Sequence, residues 1–407
     1  MRIAIILRRM NVQGGTQRLA LYLADELTKK GYGVKFYTLF FDRERTYPEF
    51  LKYKITFVDF SQFTRQPPIG LLRPLWQFLA ENRAAAALAR SIDPDTELLN
   101  PHDQVSYRVT RYFRKHTRLD IPSVWSMNDP PSLTWAYERD RENEAVPEQP
   151  RWKCFYYRLY DWYDNRTFIR EQDAIICQDA RNVEWLRTYY GPATGRKGVT
   201  VRNGPDATLF DYRARKPLTR RVKLLSSGIL FPHRRYEDAI GATKLLADHG
   251  FDPSLEIVGA YDGNMPYFVR LEGLIRNLGI REQVRFLGNI PEKDLLHRYR
   301  ENDIFLFQHH WQTDGLSPTE AMISGMAVVV SRTAGCSEFI RDHETGLVTE
   351  PKNPAALAAA VRELVENPSL YLKLSRQGME WIRDNLSPQK QAEGISKVFE
   401  RAIMKHR

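Results

Sequence analysis

The run Gln312-Thr313-Asp314-Gly315-Leu316-Ser317-Pro318-Thr319-Glu320 collects the parts of an anion site. A glycine at 315 lets backbone come close to a ligand, and the amides of Leu316 and Ser317 open a helix whose N-terminus can hold phosphate oxygens. The same Ser-Pro-Thr-Glu is also an ordinary helix start. Upstream, Gly228 is followed by His233-Arg234-Arg235. A guanidinium clamps two phosphate oxygens where an ammonium offers a point charge; a basic triplet at a helix start also serves as a solvated face. Gly14-Gly15 lies between an apolar run and a helical pattern, as a tight turn does. His102-Asp103 follows the apolar run 98–100. A neutral imidazole there can hydrogen-bond a hydroxyl, and the adjacent carboxylate can orient it. Asn128 and Asp129 hold the matching place after the next run. The Gly-x-Gly-x-x-Gly fingerprint is absent, so Asp42 at the end of the second run does not read as a ribose acid. No Asp-x-Asp metal motif stands at a strand end, and no metal is expected.

These residues need strands to carry them. Short apolar runs alternate with helical patterns almost throughout, the signature of βαβ units and parallel sheets. The first series predicts strands over 2–7, 34–41, 55–60, 98–100, 123–126, 174–177 and 199–202. A helix over 16–30 places Leu19, Leu23 and Leu27 on one stripe. A second series predicts strands over 223–227, 255–258, 284–287, 304–307 and 328–331, with helices near 237–248, 266–278, 292–301 and 318–324. Runs such as Ala327-Val-Val-Val-Ser331 are apolar throughout, as strands buried on both faces are. The reading divides the chain into an N-terminal domain 1–205, a linker 206–221, a second domain 222–385 and a C-terminal helix 386–407 that crosses back. Two segments disturb the pattern. Residues 66–90 mix prolines, Trp76 and an alanine-rich helix, and 129–170 runs from a Pro-rich loop into a stretch dense in Trp, Tyr and Arg.

The chain has 407 residues, enough for two cores, and 43% of them are hydrophobic, which excludes wholesale disorder. No window offers the roughly 20 uncharged apolar residues of a spanning helix, and the N-terminal run is too short for a signal peptide. Cys154, Cys177 and Cys336 are far apart and odd in number, which argues against a disulfide framework or zinc site. A soluble cytoplasmic protein is expected. The 60 Lys+Arg against 50 Asp+Glu give a formal charge of +10, which favours anionic partners without choosing among them. Helix-turn-helix, zinc-module and RRM signatures are missing, so nucleic acid is not expected as a partner.

Taken in order, the motifs resemble those of the GT-B glycosyltransferases, specifically the retaining family 4 that uses nucleotide-sugars. The Gly14-Gly15 turn, Pro101-His102-Asp103, Asn203-Gly204-Pro205-Asp206, Phe286-Leu287-Gly288, the 312–322 segment and Gly335–Glu338 with Gly346 stand in family order. The resemblance runs nearly end to end. It implies an α/β fold of two Rossmann-like doubly wound domains facing across a cleft, with the acceptor on the first domain and the donor on the second. It also implies transfer of a hexosyl group from a nucleoside-diphosphate sugar, with retention and with no cofactor. Glu320 would accept hydrogen bonds from the donor ribose. Arg234 would hold the departing diphosphate with help from Arg235 or His233, since that charge requires a cation where no metal serves. Gly14, Gly15 and Gly228 would lie near the phosphates, and Phe286 and Ile290 would line the base pocket. Asp314, Gly315, Leu316 and Ser317 would complete the donor site, while His102, Asp103, Asn128 and Asp129 would meet the sugar and acceptor.

Three positions depart from the family pattern. Its first Glu in the 312–320 motif is Gln312 here, with Asp314 as a potential replacement, and its first diphosphate Arg is Ile229. Cys336 stands where a glycine is usual. A second reading is therefore a catalytically degenerate glycosyltransferase-like subunit. The acceptor is expected to be a glycan or lipid-linked saccharide, met by residues such as Trp76, Arg111, Arg114, Lys115, Trp152, Tyr156, Tyr157 and Trp162. Residues 152–170 admit either buried packing or an interfacial helix on an anionic membrane.

Overall fold

The computed structural model describes residues 1–64, 73–210 and 212–406. Part of the Pro-rich 66–90 segment and Asp211 of the expected linker lie outside the described residues. Two compact units emerge: Met1–Ala136 with Gln149–Arg202 and Pro388–Arg407, and Tyr137–Glu148 with Asn203–Ser387. The segment Tyr137–Glu148, read from sequence as part of the first domain, thus groups with the second.

The chain begins with β1 (Arg2–Leu7), α1 (Gly15–Lys29), β2 (Gly33–Thr38) and β3 (Lys54–Phe57). It continues through α2 (Arg73–Ser91), β4 (Leu98–Pro101), α3 (Arg108–Thr117), β5 (Val124–Met127), α4 (Leu133–Glu142) and α5 (Arg151–Thr167). Then follow β6 (Ala174–Cys177), α6 (Ala180–Tyr190), α7 (Pro192–Gly195) and β7 (Gly198–Thr200). The strands run parallel in the orders β3-β2-β1-β4 and β5-β6-β7. Parallel bridges Leu99↔Ser123 and His102↔Ser126 join the two sets. The order reverses between β1 and β4, and the carboxyl ends of strands at such a switch point are where open α/β sheets bind ligands.

The second unit repeats the arrangement with β8 (Arg221–Ser227), α8 (Tyr236–Asp248), β9 (Asp252–Val258), α9 (Pro266–Leu278), β10 (Val284–Gly288) and α10 (Glu292–Glu301). After them come β11 (Ile304–Phe307), α11 (Leu316–Ile323), β12 (Ala327–Ser331), β13 (Leu347–Thr349), α12 (Pro354–Glu366) and α13 (Pro368–Asn385). Its sheet has the order β10-β9-β8-β11-β12-β13, with the switch between β8 and β11. Leu224, Ile304 and Val329 enter one core with α8, α9 and α12, while Leu225, Phe305 and Val328 enter the other with α10, α11 and α13. Alternation along strands apolar on both faces fills two cores at once. The edge strand β13 was not anticipated; Val348 and Thr349 are only half-buried, too short a run to show a period.

The last helix, α14 (Pro388–His406), belongs to the first unit. Its Ala392, Ile395, Val398 and Phe399 close the core formed by Leu23, Ala24 and Leu27 of α1 with Ile3 and Ile5 of β1.

Candidate functional site

In the second unit, β8 and β11 end side by side and deliver their next residues to one place. Ser226 and Gln308 hydrogen-bond each other, and Gln308 Nε2 donates to the Arg234 carbonyl at 2.9 Å. The loop after β8 is therefore tied to the end of β11. Gly228 has φ +147°, and a Cβ there would lie 3.0 Å from Arg234 Nη1. The glycine leaves room for that guanidinium. Tyr236 donates to the Gly228 carbonyl at 2.7 Å and fixes the loop from below.

Arg234 Nη1 lies 3.1 Å from His309 Nδ1. Burial, then the charge of Arg234, pushes the His309 pKa well down. The imidazole is thus neutral, and because arginine only donates, Nδ1 accepts and Nε2 carries the proton. His309 holds the guanidinium without competing for its charge. His233 is likewise neutral through burial and then Arg234, and its side chain hydrogen-bonds Gln312. Arg235 takes a different part: it stands at φ +53° and ion-pairs with Glu237 at 3.0 Å and Asp238 at 2.9 Å. The expectation that it assists Arg234 is not what this geometry brings about, because those acids occupy its guanidinium.

Opposite the end of β8, Gly315 caps α11 with φ +85° and ψ +128°. A Cβ there would come within 2.8 Å of Phe307 Cζ, so only glycine fits. Leu316 and Ser317 begin the helix and stay partly exposed. One turn on, Glu320 Oε2 accepts from Tyr299 at 2.9 Å. The Tyr299 hydroxyl also meets Ser227 and Ser317, and burial followed by the Glu320 charge raises its pKa far above normal. Glu320 is therefore held from α10 by Tyr299. Gln312 keeps exposed surface, whereas Asp314 is fully buried. Of the two, only Gln312 presents surface to solvent. Gly335 donates its amide to the Gln312 carbonyl at 2.8 Å, which joins the loop after β12 to this group. The Cys336 side chain is buried in the core beside Phe339 and adds no bulk to the loop surface.

Phe286 and Ile290 part company. Phe286 packs on Tyr261 and Phe268, ring centroids 5.9 and 5.1 Å away, while Ile290 joins the core on the other face of the sheet. They do not line one pocket.

In the first unit, His102 follows β4 at the switch point, with its amide bonded to the Ile6 carbonyl. Its Nε2 lies 2.8 Å from Asn100 Oδ1, whose own amide nitrogen donates to Val124 and Ser126. That network makes Nε2–H the donor and leaves Nδ1 as acceptor. Burial lowers the His102 pKa to about 3. Asp103 does not orient it. Its carboxylate accepts from the Arg8 amide at 3.2 Å, and burial raises its pKa well above the carboxylate range. Asn128 bonds Thr16 of the Gly14-Gly15-Thr16 turn at the start of α1, and also Gln178 after β6. The glycine turn is thereby pinned to the ends of β5 and β6. Asp129 is half-buried beside it.

Arg111 and Arg114, expected near an acceptor, instead pair with Glu171 and Asp173. Asn100, Thr16, Gln178, Tyr299 and His309 were missed. His309 could have been found, because it lies two residues beyond the carboxyl end of the apolar strand β11; Tyr299 carries no such signal. Among the described residues no group of three or more metal-ligating side chains is gathered.

Two doubly wound units with ligand-ready switch points are the architecture of GT-B glycosyltransferases, and comparison with known proteins agrees. Residues 13–209 match the model for Glycosyltransferase Family 4, and residues 211–381 that for Glycosyl transferases group 1. The chain belongs to this family of glycosyltransferases. It is 27% identical over 231 residues to a glycogen synthase of Mycobacterium tuberculosis, a match covering 57% of this chain and 55% of that one. The chain thus spans about half the length of such curated relatives. A GDP-mannose-dependent alpha-(1-6)-phosphatidylinositol monomannoside mannosyltransferase of Mycolicibacterium smegmatis is 25% identical over 349 residues, 80% of this chain and 88% of that one. Anabaena HepE, solved with UDP and glucose, superposes with TM-score 0.73 over 98% of this chain and 99% of that one at 15% identity, which shows the shared fold.

Proposed function

We propose that the protein is a retaining hexosyltransferase that takes its sugar from a UDP- or GDP-sugar and gives it to a glycan or lipid-linked saccharide in the cytoplasm. The arrangement at the β8/β11 switch point carries the reading: Arg234 held by neutral His309 over Gly228, beside the α11 N-terminus and the Tyr299-anchored Glu320. Glu320 takes the ribose diol. Arg234 and the amides of Leu316 and Ser317 neutralise the diphosphate as the glycosidic bond breaks, which is why no metal is required. The leaving diphosphate accepts the acceptor hydroxyl's proton on the same face, so the configuration is retained. His102 Nδ1, an acceptor on a neutral ring, receives a hydrogen bond from a sugar or acceptor hydroxyl.

Melting of the purified protein with UDP, GDP or ADP, each with EDTA, tests this. A ligand at 100 times its dissociation constant adds about 2.7 kcal/mol of stability. Stabilisation by UDP or GDP that survives EDTA is the expected result; no response to any of them overturns it. Ile229, 46% exposed where the family carries an arginine, favours the second reading of a degenerate subunit. Nucleotide binding without turnover across a sugar panel would establish that reading.

A further inference from the structure

Helix α5 is inside out. Its buried side is polar: Asp161 accepts from Ser132 and the Leu133 amide, Asp164 accepts from Tyr107 and ion-pairs with Arg108, and Asn165 bonds Tyr190 and Thr194. Its outer side carries Trp152, Phe155, Tyr156, Leu159, Trp162 and Tyr163, with Trp152 65% and Phe155 68% exposed. At 100° per residue these side chains form one stripe directly opposite Asp161, running along about 15 Å of helix. Arg151, Arg158 and Arg166 are exposed beside or within the stripe, and both acids of α5 are buried. The apolar face is therefore edged by cations with no exposed carboxylate of its own.

We infer that this face of α5 docks the protein on an anionic phospholipid bilayer. Trp and Tyr prefer the headgroup boundary, and guanidinium groups stay at that level while their stems cover apolar surface. Anionic headgroups supply the negative charge that the face lacks. A second copy fits less well, because a two-fold pairing of α5 sets arginines against arginines with no acid to meet them. The inference stands apart from the donor site and uses none of its residues.

Sedimentation of the full chain with phosphatidylglycerol/phosphatidylcholine vesicles, and with phosphatidylcholine alone, tests it. Binding is expected only with phosphatidylglycerol, to weaken in high salt, and to fall by about tenfold or more in W152S/F155S/W162S. Each of R158Q and R166Q is expected to lower it about fivefold. These exposed positions leave folding intact, which the melting temperature and any nucleotide-induced shift report independently. Absence of vesicle binding by the parent protein, or undiminished binding by the triple variant, overturns the inference. So does a lipid-free dimer in light scattering that the triple variant abolishes.

Discussion

At Arg234 and His309, the chemistry of one hydrogen bond governs how well a charge is placed. Replacing Arg234 by Ala is expected to lower turnover by about 10²–10³-fold at saturating donor, the usual effect of removing one group that meets developing negative charge. Arg234→Lys should recover part of that, since a point charge remains but the two-pronged clamp does not. His309→Phe keeps a ring against Phe307 and removes the acceptor for Arg234 Nη1. A hydrogen bond to a charged group is worth about 1.5–3 kcal/mol, so turnover should drop about 10- to 100-fold. Steady-state kinetics on the three variants checks the order, and equal activity of His309→Phe and the parent would dissociate His309 from Arg234's task. The residue types of Arg234 and Glu320 could be read from their motifs. Their pairings could not: the β8–β11 adjacency brings His309 to Arg234, and the packing of α10 and α11 on one face of the sheet brings Tyr299 to Glu320.

Elements decide where those residues stand. The start of α11 depends on Gly315, whose positive φ and contact with Phe307 exclude a side chain. Gly315→Ala is expected to cost about 1–3 kcal/mol in urea unfolding and to weaken nucleotide binding together with it. Helix α14 contributes Phe399, 1% exposed, to the core of the first unit. Phe399→Ala should destabilise that unit by about 3–5 kcal/mol, seen as a lower urea midpoint for its transition. Most strands were legible because continuous apolar runs between helical patterns leave little choice. Three-residue β13 was not, since so short a strand is defined by pairing with β12 rather than by its own pattern. In the same way α5 reads as amphipathic from sequence, but which side faces the core is set by Tyr107, Arg108 and Tyr190 receiving its polar residues.

For the whole molecule, buried neutral histidines imply acid sensitivity. The His102 pKa of about 3 lies below the 6.5 of an unfolded chain, so below pH 6.5 the unfolded state binds a proton that the folded state refuses. Stability therefore falls as the pH drops from 6.5 toward 3, by about 2 kcal/mol from this residue at pH 5. His310, lowered to about 4 mainly by burial, acts in the same direction in the second unit. Urea unfolding at pH 7 and pH 5 should show the loss, and His102→Gln should reduce it in the first unit; an unchanged difference would mean that His102 charges freely in the folded state. By itself the sequence determined the repeated βα architecture, the family, and the residue types at the switch points, because periodicity and motif order are local. The tertiary structure decided that Asn100 rather than Asp103 orients His102, that Arg235 is occupied by Glu237 and Asp238, and that Phe286 and Ile290 face apart. Those outcomes depend on which side of a strand or turn each side chain leaves, and on partners distant in sequence whose approach is fixed only when the sheets assemble.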